Sequence, residues 1–177
     1  MLRLNEERTI RWIGDVDEER VRGTIKKLQA LENQRGKKQD IHLLVCSGGG
    51  DISAGLAFFE FVRRISTLRL TSIGLGGIKS MGVIIFLAAQ KRLIAPSTHF
   101  LFHEPNLKYT GSPTVGKSES GQDHMLMTLE DNLCAKITFE ALEGRHSLDE
   151  ILRWSKENRI LSANEALALG LAHEIIT

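Results

Sequence analysis

Cysteine is scarce: the 177 residues hold two, Cys46 and Cys134, in separate segments and without CxxC spacing. That excludes a disulfide framework and offers no zinc pattern, so each reads as a small buried apolar side chain. Net charge is nearly absent as well, since 23 Lys and Arg against 22 Asp and Glu leave +1. With both signs spread along the chain, no field would hold nucleic acid or an anionic membrane, and neither is expected as a partner. The opening MLRLNEERTI has no apolar signal core, and the greasiest later stretch is broken by Lys79, Lys91 and Arg92 before it reaches spanning length. A soluble cytoplasmic protein is the expectation. His99, His124, His146 and His173 have no metal-ligand spacing, so they read as surface or capping residues and no metal or cofactor is expected. There is no internal repeat.

What is present is 42% apolar content, enough for the core of one domain over residues 1–177. Short β-rich runs alternate with helical ones: Thr9 to Ile13, helix from Glu18 to Arg35, Ile41 to Cys46, helix from Ile52 to Ile65, then Leu68 to Leu75. That alternation predicts βαβ units. Ala54, Ala57, Phe58, Phe61, Val62 and Ile65 recur at helical spacing and predict one face packed on a sheet. Ile41 to Cys46 is apolar on both faces apart from His42, as in a strand covered on both sides, and His42 reads as a core or edge residue. A helical run opens at Ser80, and Arg92 to Phe102 predicts a strand pair turned at Pro96. KYTGSPTVGKSESG, residues 108–121, reads as a mobile loop. Met125, Leu129, Leu133 and Ile137 recur every fourth residue and predict an amphipathic helix from Gln122 to about Glu143, closed by Gly144. SLDE at Ser147 and SANE at Ser162 read as capping boxes opening two short helices. Gly170 ends the second, and a strand from Ala172 to Ile176 closes the chain. The basic run Arg35, Lys37 and Lys38 reads as a solvated helix end.

Two places carry chemistry. Gly48 to Gly50 lie between an apolar strand and a helix starting near Asp51, where glycines allow positive φ and outward amides. Either a tight turn or an oxyanion site fits; the spacing is neither GxGxxG nor followed by GK[ST], so a nucleotide loop is not indicated. Ser80 follows a strand and Gly74, Gly76 and Gly77, and precedes the helical run Met81 to Ala89. A nucleophile at a helix start and a plain N-cap serine look alike here. His103 ends the apolar run Phe100 to Phe102, and the connection from Ser80 is long enough for a helix and a return strand, so a Ser-His pair at one sheet edge is available.

The strings SGGG, AGLAFFEF, GGIKSMG, FLFHEP and NRILSANEALALGL, in this order, resemble the motifs of the Clp protease proteolytic subunit, from about Arg8 to Thr177. The resemblance implies an α/β, crotonase-like fold of repeated ββα units with a protruding handle helix. It implies heptameric rings, stacked into a closed chamber, that degrade unfolded polypeptides, and by analogy an AAA+ unfoldase ATPase as partner. It makes Ser80 the nucleophile of a serine endopeptidase, His103 the general base, Asn158 the third member, and the amides of Gly50 and Met81 the oxyanion hole.

Four departures bear on this. Asn158 stands where the family usually has Asp; an amide orients an imidazole but cannot supply the charge, with Glu157 or another acid as a substitute to weigh. Gly48 replaces the proline of SPGG and loosens the turn. Little precedes the first strand, Met1 to Glu7, where the family has an axial segment. The loop 108–121, in the handle region, is longer than the resemblance implies. Three other readings compete. One is a weakly active or non-catalytic ring subunit regulating an active paralogue. The next is a crotonase-type acyl-CoA enzyme. The last is a Ser-Lys mechanism through Lys79, which adjacent side chains disfavour because they diverge.

Overall fold

The computed structural model describes residues 4–34, 40–104 and 117–177, the side chains of 117–120 excepted. β1 (Thr9–Ile13) leads into α1 (Glu18–Glu32), whose first turn is closed by Asp17 accepting from the Arg20 amide at 2.7 Å. The helix stops at Glu32, short of the Arg35 expected, and the basic run at Arg35 to Lys38 lies outside the described residues. β2 (Ile41–Ser47) and α2 (Ile52–Glu60) follow as the alternation predicts, with Asp51 capping α2 through the Ala54 amide at 2.7 Å. The chain then widens into one π-helical turn, Phe61–Ile65. Phe61 and Val62 stay buried, but the wider turn shifts the helical phase and Ile65, expected inward, is 70% exposed. Ala57 is exposed as well.

β3 (Leu70–Lys79) runs straight through its glycines to the residue before Ser80, longer than the sequence suggests. α3 (Met81–Leu87) is buried along its whole length, which is why it is apolar all round and shows no stripe. β4 (Lys91–Ile94) and β5 (His99–Leu101) were expected to pair with each other; instead both lie parallel on β3, β4 against Thr71–Gly74 and β5 against Gly77–Lys79. The jog between them is set at Gly74, whose carbonyl accepts from the Ala95 amide at 2.9 Å and the Thr98 hydroxyl at 2.8 Å. The chain thereby leaves one half of β3 and rejoins the other half without reversing.

The expected loop over 108–121 lies outside the described residues as far as 116, and from Lys117 the chain is already helical in α4 (Lys117–Ala141). α4 is the expected handle helix, with a correction to its faces. Of the predicted inward stripe only Ile137 is buried, at 8% exposure, while Met125, Leu129 and Leu133 stand 73%, 56% and 40% exposed. α5 (Leu148–Lys156) is capped by Ser147, but the second half of its box is missing because Glu150 pairs with His146 Nδ1 at 3.1 Å. β6 (Ile160–Ser162), not anticipated, leads into α6 (Ala163–Leu169), where the Ser162 and Glu165 box is complete and Gly170 closes the helix at φ 83°. β7 (Glu174–Ile175) ends the chain.

Among the described residues the strands form one sheet in the order β1-β2-β3-β4-β7, parallel along that path, with β5 on β3 and β6 antiparallel to β5. Its core is anchored by aromatic contacts, Trp12 to Phe58 at 5.0 Å and Phe86 to Phe100 at 5.2 Å between ring centres. No helix among the described residues is long and apolar enough to cross a membrane.

Two histidines sit where burial resists their charge. Burial pulls the His42 pKa down, and burial followed by the Arg92 charge does the same for His173. His173 Nδ1 accepts from the Arg92 amide at 3.1 Å, which requires that nitrogen unprotonated. Arg92, 5% exposed and drawn down to about 10 by burial, binds the carbonyls of Leu171, Ala141 and Gly170. A folded pKa below histidine's ordinary 6.5 means that the unfolded chain takes up the proton first, so stability falls as pH drops through that value. In thermal unfolding followed from pH 8 to 5.5, His173→Gln is expected to flatten this decline relative to the parent; an unchanged slope places the pH dependence elsewhere.

Candidate active site

Three strands end together. Lys79 of β3 pairs with Leu101 of β5, and the Ser80 amide donates to the Leu101 carbonyl at 2.9 Å. Leu101 in turn pairs with Ile160 of β6, and the Phe102 amide donates to the Arg159 carbonyl at 2.9 Å. The β5 to β6 pairing itself ends at Leu101 and Ile160, and Asn158 lies beyond it in the turn after α5, its amide donating to the Ser155 carbonyl at 3.2 Å. The strand ends that lead to Ser80 and His103, far apart in sequence, thus meet at one sheet edge, and Asn158 precedes the Arg159 whose carbonyl holds Phe102. Phe102 is held from behind by Trp154 of α5, edge-on at 5.4 Å, with the Arg159 guanidinium 4.5 Å over the Trp154 ring.

Ser80 stands at the N-cap of α3, yet its hydroxyl makes no cap hydrogen bond, so the plain capping reading does not hold. Its backbone, φ 51° and ψ −128°, lies in a region closed to ordinary residues. Such a conformation costs about 1–3 kcal/mol and persists only when the surroundings impose it. Here they do, since β3 and the Leu101 carbonyl hold one side and the buried α3 the other. The glycine turn is packed directly against this residue. A Cβ on Gly49, at φ 104°, would lie 2.7 Å from Ser80 Cβ and 3.2 Å from the Lys79 carbonyl. A Cβ on Gly50, at φ 145°, would meet the Val16 carbonyl at 2.1 Å. Val16 donates to the Gly49 carbonyl and accepts from the Asp51 amide, each at 2.8 Å, and this leaves the Gly50 amide without a partner among the described residues. The Met81 amide, at the first position of α3, has no acceptor within its own helix. Gly48 is exposed, and its side is open apart from Asp15. Lys79 turns away, its Cε folded back over Gly77, as the alternation of a strand requires.

His103 is half-buried, and its Nδ1 lies 2.7 Å from the Glu104 carbonyl. A carbonyl only accepts, so this hydrogen bond needs the proton on Nδ1 and leaves Nε2 with its lone pair, the tautomer that a general base uses. Asn158 is exposed at φ 51°, and among the described residues its side chain makes no hydrogen bond to His103, nor does Ser80 Oγ. The ladder therefore brings Ser80 and His103 into one pocket, with Asn158 in the turn before β6 and no relay closed through the three. Glu157, the substitute acid, is exposed at the C-cap of α5.

Ser80 and His103 line one pocket, walled by Ile52, Met81, Ile84, Phe102 and Ile151 and closed by α4 and α5. The α4 side is Asp131, Cys134, Ala135 and Thr138, a stripe at spacing i, i+3, i+4, i+7 that the sequence reading passed over for the more apolar one beside it. Ser155 of α5 completes it. Burial, and after it the Glu104 charge, raises the Asp131 pKa. Burial pushes the Cys134 thiol up to about 12, so it is inert as a nucleophile. Both cysteines are free and half-buried, less enclosed than expected. Among the described residues no cluster of three His, Cys, Asp or Glu is placed to hold a metal.

A serine on a strained strand-to-helix turn, facing a histidine across an apolar pocket, is the arrangement of a serine hydrolase. The family model described as Clp protease matches residues 1–177, and the chain belongs to that family, whose activity is that of a serine-type peptidase. ATP-dependent Clp protease proteolytic subunit 2 of Treponema pallidum (strain Nichols) is 31% identical over 173 residues, 97% of this chain and 83% of that protein. The subunit of the same name from Gluconobacter oxydans (strain 621H) is 27% identical over 177 residues, 98% and 76% of the two chains. Among solved structures, ClpP1 from Listeria monocytogenes superposes with a TM-score of 0.77 at 25% identity, covering 97% of this chain and 92% of that one. An asparagine-to-aspartate variant of the same protein gives 0.74 over the same shares. The α/β fold expected from the motifs is thereby the fold found.

Gly49→Ala forces either the turn or Ser80 to move. It is expected to slow fluorophosphonate labelling of Ser80 by at least roughly tenfold, the scale of a misplaced reacting group, while circular dichroism stays that of the parent. Unchanged labelling would mean that the close approach of Gly49 is not needed.

Proposed function

We propose that the chain, as a single peptidase domain over residues 1–177, hydrolyses unfolded polypeptide through an acyl-enzyme on Ser80. Ser80 Oγ attacks the scissile carbonyl while His103 Nε2 takes its proton, and His103 then returns that proton to the leaving amine. The Gly50 and Met81 amides receive the oxyanion, each donor contributing about 2.7–4 kcal/mol to lowering the barrier. A water activated by His103 releases the acyl group. The observation that carries this reading is the backbone of Ser80: a strained residue with an uncommitted hydroxyl, in the same pocket as a histidine of the required tautomer.

Asn158 takes the third position in this reading. The Phe102 amide bond to the Arg159 carbonyl supports it, since His103 follows the one residue and Asn158 precedes the other; in this reading the Asn158 amide replaces the Glu104 carbonyl as the partner of Nδ1. Fluorophosphonate labelling with mapping of the modified peptide tests the whole assignment, with label expected on Ser80 and lost in Ser80→Ala. Asn158→Asp is expected to raise peptide turnover by on the order of tenfold or more, because a carboxylate stabilises the imidazolium; equal turnover would remove Asn158 from the mechanism.

Assembly into stacked heptameric rings is supported by the row of exposed apolar side chains on α4, Met125, Leu126, Leu129 and Leu133, which none of the described residues covers. Leu129→Glu is expected to leave the subunit folded and reduce the native mass to smaller assemblies. An unaltered mass would place the contact elsewhere. A partner ATPase of the AAA+ unfoldase class and a cytoplasmic setting follow from the same family reading, the Treponema and Gluconobacter relatives being named as ATP-dependent.

A further inference from the structure

The peptidase reading leaves one charged group of the pocket without a role. Asp131 lines the space shared by Ser80 and His103, and it also lines the adjoining, more polar recess with Glu104, His124 and Lys156. It stands where apolar walls give way to charge. The lining beside the serine holds the apolar Ile84, Phe102 and Ile151 together with the Asp131 carboxylate and Ser155 of α5. Among the described residues that line the adjoining recess, the formal charges are two carboxylates, Asp131 and Glu104, against one ammonium, Lys156, which leaves one negative charge over.

We propose that Asp131 is the specificity-determining residue of the pocket, selecting lysine or arginine on the acyl side of the scissile bond. The inference rests on Ser80 being the nucleophile. A long basic side chain suits both parts of the pocket: its methylenes lie along the apolar wall and its cation reaches the carboxylate. An aliphatic side chain fills the wall but leaves a half-buried carboxylate facing it. An acidic one adds a third negative charge. The raised pKa of Asp131 has the same physical origin, since burial and Glu104 both disfavour its charge and an incoming cation relieves both. Lys156 does not fill this role, because it is exposed and lies on the recess side.

The test uses peptidyl phosphonates identical except for lysine, leucine or glutamate at the residue that the serine acylates, with the rate of Ser80 labelling measured in the assembled protein. The parent is expected to react fastest with the lysine probe and slowest with the glutamate probe. Asp131→Asn is expected to lower the lysine-to-leucine ratio by roughly tenfold, the scale of a hydrogen bond to a charged group, and Asp131→Lys to move the preference toward glutamate. Ratios equal in the parent and both variants, or the three probes slowed equally, overturn the inference. If a general fluorophosphonate labels Ser80 and no basic preference appears, the specificity alone fails; if it leaves Ser80 unlabelled, the peptidase reading falls and takes the specificity with it.

Discussion

The site depends on one constraint, the backbone of Ser80 held at φ 51° between a strand and a buried helix. A residue in that conformation relaxes unless both neighbours are fixed, and here both are. On one side the Ser80 amide extends the β3 to β5 ladder onto Leu101; on the other, α3 has no exposed residue along which it could shift. The cost of the strain is met by packing already present in the sheet and core. The outcome is a hydroxyl pointed into the pocket, free of the capping bond that it would otherwise make.

The glycine turn answers to the same constraint. Gly49 is bare because Ser80 lies against it, and Gly50 because the Val16 carbonyl does. The bridge between Val16 and Gly50 ties the turn to the segment after β1, so the free Gly50 amide is placed by the far side of the sheet. His103 is placed by a different route: Phe102 before it is clamped by Trp154 and by the Arg159 carbonyl. Serine, amide and histidine are thus positioned by three separate parts of the fold, and the pocket lies where those parts converge.

α4 serves two surfaces. Its inward stripe, Asp131, Cys134, Ala135 and Thr138, closes the pocket, while Met125, Leu129 and Leu133 are exposed among the described residues.

The sequence by itself determined the early β and α alternation, the helix starts at Asp51 and Ser162, and Ser80, His103 and the triple glycine as the places to look. Each of these is written locally, in a side-chain period, a cap or a residue free of Cβ. The family motifs added Asn158 and the fold. Only the tertiary structure decided that β4 and β5 share β3, because a parallel pairing is closed through distant chain and leaves no local mark. Only it revealed β6, three residues long and too short to show a period, although its pairing with β5 fixes the strand that leads to His103. The inward face of α4 was hidden for a third reason. Apolar spacing tells that a helix has something to bury but not against what, and in this chain the more apolar stripe was left outside while a carboxylate, a thiol and a hydroxyl were turned toward the serine.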